Sequence, residues 1–165
     1  MNVYLDMDGV QVDFFGAWAD YHRVSHYKET SEEHFERFSR KDPDHIRNFF
    51  SNLPKLHDGA IAQWLQDRNI PFTVLSAPLR NDGATPSVEG KKMWLDKNLP
   101  GYSQHAIFTR HKYTLAMTGN KPCLLIDDFG KYVEEWRQHG GVAIKHENLQ
   151  DTLEQLNNLY ERNQI

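Results

Sequence analysis

Two carboxylates end a short apolar segment near the start of the chain. Residues 2–15 are NVYLDMDGVQVDFF, so Asp6 and Asp8 follow Val-Tyr-Leu with one residue between them. Side chains two apart on a strand share a face, so these like charges would lie together and repel each other. A divalent cation offsets such repulsion, and Mg²⁺ prefers oxygen ligands. In such a site one carboxylate can attack phosphorus as a nucleophile and the other can transfer protons.

Further polar residues follow three later apolar segments. Ser76 follows TVL, Lys112 lies in IFTRHK, and Asp127 and Asp128 follow LLI. If these segments are parallel strands, their carboxyl ends meet at one edge of a sheet, where α/β proteins bind ligands. A hydroxyl and an ammonium group suit a phosphate, and an Asp of the LLIDD segment would add a metal ligand. Together these residues predict a magnesium and phosphate site.

The apolar segments themselves predict strands. They are Val3–Leu5, Phe72–Leu75, Ala106–Phe108, Cys123–Ile126 and Val142–Ile144. Their nearly continuous hydrophobicity is typical of strands that are buried on both faces, as in a parallel sheet.

Helical patterns lie between the predicted strands. They cover residues 58–69, 85–99, 129–140 and 149–163. Thr85 is predicted to cap the second of them, with Pro86 at the first helical position. In the last one Leu149, Leu153, Leu156 and Tyr160 form one stripe, which predicts packing on the sheet. Alternating strands and helices indicate an α/β doubly wound domain.

The segment from residue 15 to residue 52 interrupts this alternation. It contains no convincing strand and is rich in aromatic residues, His and charge. We interpret it as a small helical insert beside the strand ends, with SRKDPDH as a turn inside it. Its aromatic residues Trp18, Tyr21, Phe49 and Phe50 could stack on a base or form a small hydrophobic core, and the sequence leaves both possibilities open.

Length and composition narrow the classes of protein. A chain of 165 residues suits one domain with a small insert. A net charge of −4 argues against a protein that binds duplex nucleic acid. The single cysteine, Cys123, lies in an apolar segment and is expected in the core. No segment predicts a membrane span or a signal peptide, so a cytoplasmic location is expected; the chain could be a monomer or a homodimer.

The motifs resemble those of the haloacid dehalogenase (HAD) superfamily of phosphohydrolases. DMDGV is similar to the first motif of that superfamily, VLS to the second and LLIDD to the fourth. The lysine of the third motif varies in position, and Lys112 and Lys91 are the two candidates, in that order of preference. The resemblance implies a Rossmann-like three-layer α/β/α core with a five-stranded parallel sheet in the order 5-4-1-2-3. It also implies a cap inserted after the first motif, which gives a core of residues 1–14 plus 53–165 and a helical cap of residues 15–52.

Within that superfamily the chain resembles the 5'(3')-deoxyribonucleotidases most closely. DMDGVQVDF, FFSNLPKLHDGA, KKMWLDK and FTRHK carry this likeness. It implies a Mg²⁺-dependent phosphatase that hydrolyses nucleoside monophosphates through an aspartyl phosphate. In this likeness Asp6 is implied as the nucleophile and Asp8 as the acid and base. The implied metal ligands are the carboxylate of Asp6, the main chain of Asp8, and Asp128 with Asp127 beside it. Phosphate binding is implied for Ser76 and for Lys112 or Lys91, and Phe14 is implied to line the nucleoside pocket.

Two other functions remain open at this stage. One is a phosphatase for other small phosphates or for the 3'-phosphate end of a nucleic acid. The other is a non-enzymatic phosphoacceptor or binding module on the same scaffold. In receiver-type phosphoacceptors the acidic pair follows the first strand and the lysine the fifth, whereas here Asp127 and Asp128 follow the fourth predicted strand and Lys112 precedes it.

Overall fold

A computed structural model describes all 165 residues of the chain, and its centre is a parallel β-sheet. The chain forms seven strands: β1 Val3–Leu5, β2 Phe72–Ser76, β3 Ile107–Phe108, β4 Met117–Thr118, β5 Lys121–Pro122, β6 Leu124–Asp127 and β7 Val142–Lys145. Five of them form the main sheet in the order β3-β2-β1-β6-β7, and every pair in it is parallel. The predicted parallel α/β sheet is therefore present.

The strand numbers in this sheet differ from those of the predicted order 5-4-1-2-3 because the chain forms an additional hairpin before the fourth sheet strand. Strands β4 and β5 pair with each other as an antiparallel ribbon outside the main sheet. Without them the order from the β7 edge is 5-4-1-2-3. Strand β3 is also one residue shorter than predicted, because Ala106 lies outside it, and β6 is shifted by one residue, from Cys123–Ile126 to Leu124–Asp127.

Seven helices join the strands. They are α1 Phe14–His22, α2 Glu32–Ser39, α3 Pro43–Ser51, α4 Ala60–Asp67, α5 Ala84–Asn98, α6 Gly130–Gln138 and α7 Leu149–Glu161. Thr85 was wrongly predicted as a cap, because a 3-10 turn at Asn81–Gly83 leads directly into α5 and the helix begins one residue before Thr85. Pro86 is still tolerated in the first turn, where backbone N–H groups have no helical partner. None of the helices combines the length and the apolar character that crossing a membrane requires.

The two faces of the sheet are covered unequally. One face, with Val3, Leu5 and Ile126, packs into a large core with residues of α1, α3, α4, α5 and α7. The other face packs against α6 and the 3-10 turn at Lys112–Leu115, with Trp136 fully buried there. The tail helix α7 buries Leu156 as predicted, but Tyr160 at the end of the stripe is 42% exposed.

The segment from residue 15 to residue 52 is helical without a strand, as its sequence indicates. It is closely packed on the rest of the chain, because a Cβ atom at Gly90 of α5 would lie only 2.5 Å from the carbonyl oxygen of Arg47 in α3. Trp18, Phe38 and Phe50 belong to the same core as Val3. Its division from the core as a separate cap stays a prediction.

A pair of histidines, buried His146 and half-buried His57, joins the loop after β7 to the turn before α4. His146 is 5% exposed, its Nε2 lies 3.1 Å from His57 Nε2, and its Nδ1 lies 2.8 Å from Thr152 Oγ1. Its backbone N–H also donates to the carbonyl of Asp127, at the end of β6. Burial, and then the charge of His57, lowers the pKa of His146 to about 4.

We expect this pair to make folding stability sensitive to acid. A His whose folded pKa is lowered stabilises the fold above its unfolded pKa of about 6.5, and this contribution is lost as the pH falls towards the folded value. The free energy of unfolding, measured with urea, should therefore decrease between pH 6.5 and pH 4 more steeply in the native protein than in His146→Gln. Exposed His105→Gln is the control. Equal slopes in all three proteins would contradict this assignment.

Candidate active site

Lys112 lies between two carboxylates at the carboxyl ends of neighbouring strands. Its Nζ is 2.8 Å from Asp6 Oδ1 and 2.6 Å from Asp127 Oδ2, and all three side chains are at least 93% buried. The other oxygen of Asp127 accepts a hydrogen bond from the backbone N–H of Phe129 at 2.9 Å. Lys112 also stands 4.7 Å from the ring centre of Tyr132, close enough for a cation–π interaction. The position of Asp6 is thus fixed by a buried ionic network.

Lys91 holds the carboxylate of Asp8, as Lys112 holds that of Asp6. It projects from α5 and donates to Asp8 Oδ2 at 2.8 Å, to Ser76 Oγ at 2.9 Å and to the carbonyl of Ala77 at 2.7 Å. Its side chain is 1% exposed, so all three donors of the ammonium group are used inside the protein. The sequence analysis treated Lys91 and Lys112 as alternatives, whereas the structure brings both into the site with different partners.

The loop after β1 lets the acidic groups approach closely. Gly9 has a φ of +77°, and a Cβ atom there would lie 2.3 Å from Asp128 Oδ2, so only glycine fits beneath the Asp128 carboxylate. Gln11 donates from Nε2 to the carbonyl of Asp6 at 2.8 Å and holds the loop against the strand end. The DxDG motif therefore supplies the carboxylates of Asp6 and Asp8 and also the turn that makes room for the carboxylate of Asp128.

The site carries more negative than positive charge. Four aspartates, Asp6, Asp8, Asp127 and Asp128, surround two lysines, and Asp128 has no salt bridge. Burial, and then the charge of Asp127, raises the pKa of Asp6 to about 7. Burial, and then the charges of Asp6 and Asp127, raise the pKa of Asp128 to about 8. Burial opposes the charge of Lys112, but Asp6 and Asp127 hold its pKa above the usual value.

These residues fit a Mg²⁺ ion. Carboxylate oxygens of Asp6, Asp127 and Asp128 lie within 4.8 Å of one another, and Asp8 Oδ1 is buried without a hydrogen-bond partner. Such hard oxygen donors with excess negative charge are what Mg²⁺ selects. Because both oxygens of Asp127 already accept hydrogen bonds, Asp6 and Asp128 are the better candidates to hold the ion.

A cavity of about 650 Å³ opens above the acidic groups. Six of the predicted site residues line it: Asp6, Asp8, Phe14, Lys91, Lys112 and Asp128. The other two, Ser76 and Asp127, are fully buried behind this wall, where they hold Lys91 and Lys112. Ser76 was predicted to bind phosphate, but here its hydroxyl contacts Lys91 and does not line the cavity.

Aromatic residues form part of the cavity wall. Phe14 is 6% exposed and stacks on Phe50 and Trp18, at ring distances of 6.1 and 5.5 Å. Of the aromatic residues whose role the sequence left open, only Phe50 reaches the cavity, whereas Trp18, Tyr21 and Phe49 pack in the core.

Several wall residues were not predicted as site residues. They are aromatic (Phe15, Tyr27, Phe35, Phe129, Tyr132) or basic (Lys28, Arg80, Arg110, Lys131). Phe129, Arg110 and Arg80 lie within four residues of a strand end, which was a usable signal. No comparable signal marked Tyr27 or Phe35.

Comparisons with known proteins find similar structures only. No family model matches the chain, and no curated protein matches its sequence. A hydrolase from Streptococcus pneumoniae TIGR4 superposes with a TM-score of 0.50 at 12% identity, over 94% of this chain and 97% of that chain. A HAD hydrolase of family IA, variant 3, from Entamoeba histolytica HM-1:IMSS gives a TM-score of 0.45 at 14% identity, over 93% and 88% of the two chains. The first likeness shows a shared fold.

The excess negative charge should limit the stability of the metal-free protein. A carboxyl whose folded pKa is raised destabilises the fold increasingly as the pH rises from its unfolded pKa to its folded one. At pH 8 without metal, Asp128→Asn should therefore raise the free energy of unfolding, by about 1–2 kcal/mol. The same variant should lose most of the increase in melting temperature that Mg²⁺ gives the native protein.

Exposed Asp20→Asn, on α1, is the matched control and should change neither quantity. A less stable Asp128→Asn protein, or one that Mg²⁺ stabilises as strongly as the native protein, would refute the proposed charge balance.

Proposed function

We propose that this protein is a Mg²⁺-dependent phosphomonoesterase of the HAD superfamily that acts on nucleoside monophosphates. One observation carries the proposal: Asp6 and Asp8, two residues apart at the end of β1, each pair with a separate buried lysine and both line an open cavity. A purely structural ion pair needs no cavity, and a simple turn needs no buried lysines. The similarity of fold to a hydrolase agrees with this proposal.

In the first step, an oxygen of the Asp6 carboxylate attacks the phosphorus atom and the bond to the ester oxygen breaks. Asp8 donates its proton to that oxygen, so the leaving group departs as a neutral alcohol. The phosphoryl group is then bonded to Asp6 as an acyl phosphate. Lys112, 2.8 Å from Asp6 Oδ1, keeps the nucleophile oriented throughout.

In the second step, the Asp8 carboxylate accepts a proton from water, and the oxygen of that water attacks the same phosphorus atom. The bond to Asp6 breaks, which restores its carboxylate and releases inorganic phosphate. A bound Mg²⁺ ion would offset the repulsion between the anionic nucleophile and the anionic substrate. Lys91, which now donates to Asp8, Ser76 and Ala77, is placed to keep Asp8 oriented during both proton transfers.

The aromatic wall supports a nucleoside as the leaving group. Phe14, Phe15, Tyr27 and Phe35 line the cavity from the helical segment, and bases stack well on aromatic rings. Sugar phosphates have no comparable apolar surface to contribute. The cytoplasmic location and the monomeric or dimeric state stay predictions beside this proposal.

A second candidate is a phosphatase for the 3'-phosphate end of a nucleic acid. It is favoured by the four basic residues around the mouth of the cavity, Lys28, Arg80, Arg110 and Lys131, which are more than one phosphate requires. The same substrate panel tests both candidates.

The test is hydrolysis of an aryl phosphate, of 5'- and 3'-deoxynucleotides, and of 3'-phosphorylated oligonucleotides, with Mg²⁺ and with EDTA. We expect turnover that EDTA abolishes and that is highest for nucleotides. Asp6→Asn should lower kcat by about 10³-fold or more because it removes the nucleophile. Asp8→Asn should lower it by about 10²–10⁴-fold because proton transfer is lost.

Asp20→Asn serves as the control. Undiminished turnover in Asp6→Asn would show that another group attacks phosphorus. A phosphorylated protein that never releases phosphate would instead favour the non-enzymatic phosphoacceptor.

A further inference from the structure

The mouth of the cavity carries basic groups that the phosphatase chemistry does not use. Lys91 and Lys112 are committed to the aspartates, whereas Arg110 and Lys131 line the same cavity farther out, where both are exposed. They come from two elements that flank the site, the loop after β3 and the first turn of α6. They line the cavity that Asp6 and Lys112 also line, and Lys131 directly precedes Tyr132, whose ring contacts Lys112.

Arg110 is held in place without being neutralised. Its Nη1 donates to the carbonyl oxygen of Pro78 at 3.2 Å, and no carboxylate forms a salt bridge with it. This contact ties the guanidinium group to the loop after β2 and leaves most of its five donors free. Lys131 has only Glu135 of its own helix, at 3.8 Å, and its side chain remains 64% exposed.

Arg80, another basic residue of the wall, already has a carboxylate partner. It pairs with Glu32 at 3.2 Å, and the wall that contains Lys28 also contains Glu36. On the side of the cavity formed by the loop after β3 and α6, Arg110 thus has no carboxylate partner and Lys131 has only Glu135. These two cations attract an anionic group of a ligand.

An exposed aromatic ring lies on the same side. Phe129 is 52% exposed, lines the cavity and contacts Tyr132 edge-on at 5.2 Å. Its backbone N–H is bonded to Asp127, so its main chain is anchored in the ionic network. An aromatic ring with flanking cations is the chemistry by which proteins bind single nucleotides, since the ring stacks on a base and the cations hold phosphate.

We propose that Arg110 and Lys131 form a subsite for a second phosphate, so that the preferred substrate is a nucleotide with a phosphate beyond the one that is cleaved. This inference rests on the proposed phosphatase function and moves its preferred substrate from a nucleoside monophosphate to a nucleotide with two phosphates. A nucleoside 3',5'-bisphosphate and a phosphorylated dinucleotide both present the required base and second phosphate. Guanidinium and ammonium groups bind phosphate through charge-assisted hydrogen bonds. A second phosphate can form such bonds with Arg110 and Lys131, whereas a monophosphate has no group to form them, so the second phosphate increases affinity.

The experiment compares kcat/KM for a deoxynucleoside 3',5'-bisphosphate and a 3'-phosphorylated dinucleotide with that for the better of the two monophosphates. In the native protein we expect a ratio of about 10 or more, from two exposed charge-assisted contacts. In Arg110→Gln/Lys131→Gln the ratio should fall to about 1, because the charges that recognise the second phosphate are gone. Whether the bisphosphate or the dinucleotide has the higher ratio identifies which of them supplies the second phosphate.

Arg137→Gln is the matched control. Arg137 is also exposed and also donates to one carbonyl, that of Ala143 at 3.0 Å, but it lies outside the cavity. The ratio of kcat/KM values in Arg137→Gln should equal that of the native protein. As a readout independent of turnover, calorimetry on Asp6→Asn should show tighter binding of the bisphosphate than of the monophosphate, and the added Gln substitutions should remove this difference.

The outcomes separate the two proposals. If no phosphate ester is hydrolysed, the proposed function fails and the subsite inference falls with it. If monophosphates are hydrolysed but the ratio is about 1 in the native protein, or is unchanged in the double variant, the phosphatase stands and the subsite is refuted.

Discussion

The ammonium group of Lys112 between the carboxylates of Asp6 and Asp127 is the interaction on which the site depends. Asp6 directly follows β1, Asp127 ends β6, and Lys112 comes from the turn after β3. The Lys112 side chain thus joins Asp6, 106 residues before it in the chain, to Asp127, 15 residues after it. Removing one partner of such a buried group leaves an uncompensated charge and costs about 3–5 kcal/mol. The sheet order is what brings these ends together, because β1 and β6 are neighbours in it.

The same network explains why an excess of carboxylates is tolerated. Lys112 and Lys91 offset two of the four charges: Lys112 donates to Asp6 and Asp127, and Lys91 donates to Asp8, Ser76 and Ala77. Burial, and then the remaining repulsion, raises the pKa values of Asp6 and Asp128. A protein selected only for stability would have replaced one of these groups, since burying like charges is costly. The presence of these carboxylates beneath an open cavity is the physical reason for proposing a catalytic site.

Sequence patterns predicted the sheet well because its strands are buried on both faces. Their continuous apolar segments left little ambiguity about β1, β2, β6 and β7, and parallel pairing then placed the polar strand ends together. The hairpin of β4 and β5 was missed because its strands have two residues each, although the Gly119-Asn120 turn between them is a recognised hairpin signal. Thr85 failed as a cap because the preceding 3-10 turn was not foreseen.

The site was predictable in its charges and less so in its connections. Asp6, Asp8 and Asp128 line the cavity because they lie at or directly after the ends of β1 and β6. Which lysine pairs with which aspartate depends on the side-chain paths of Lys91 from α5 and Lys112 from its turn, and no periodicity encodes those paths. The outer wall is least predictable, because Tyr27 and Phe35 reach the cavity through the packing of a helical segment whose orientation the sequence does not determine.

The central claim is that Asp6 attacks phosphorus while Lys112 holds it in place. The most direct measurement is acid quenching during turnover of a nucleotide with Mg²⁺, followed by peptide mass spectrometry. The account predicts one phosphoryl group on the peptide that contains Asp6, with none in Asp6→Asn. A phosphoryl group on another residue, or rapid turnover without any phosphorylated peptide, would contradict it.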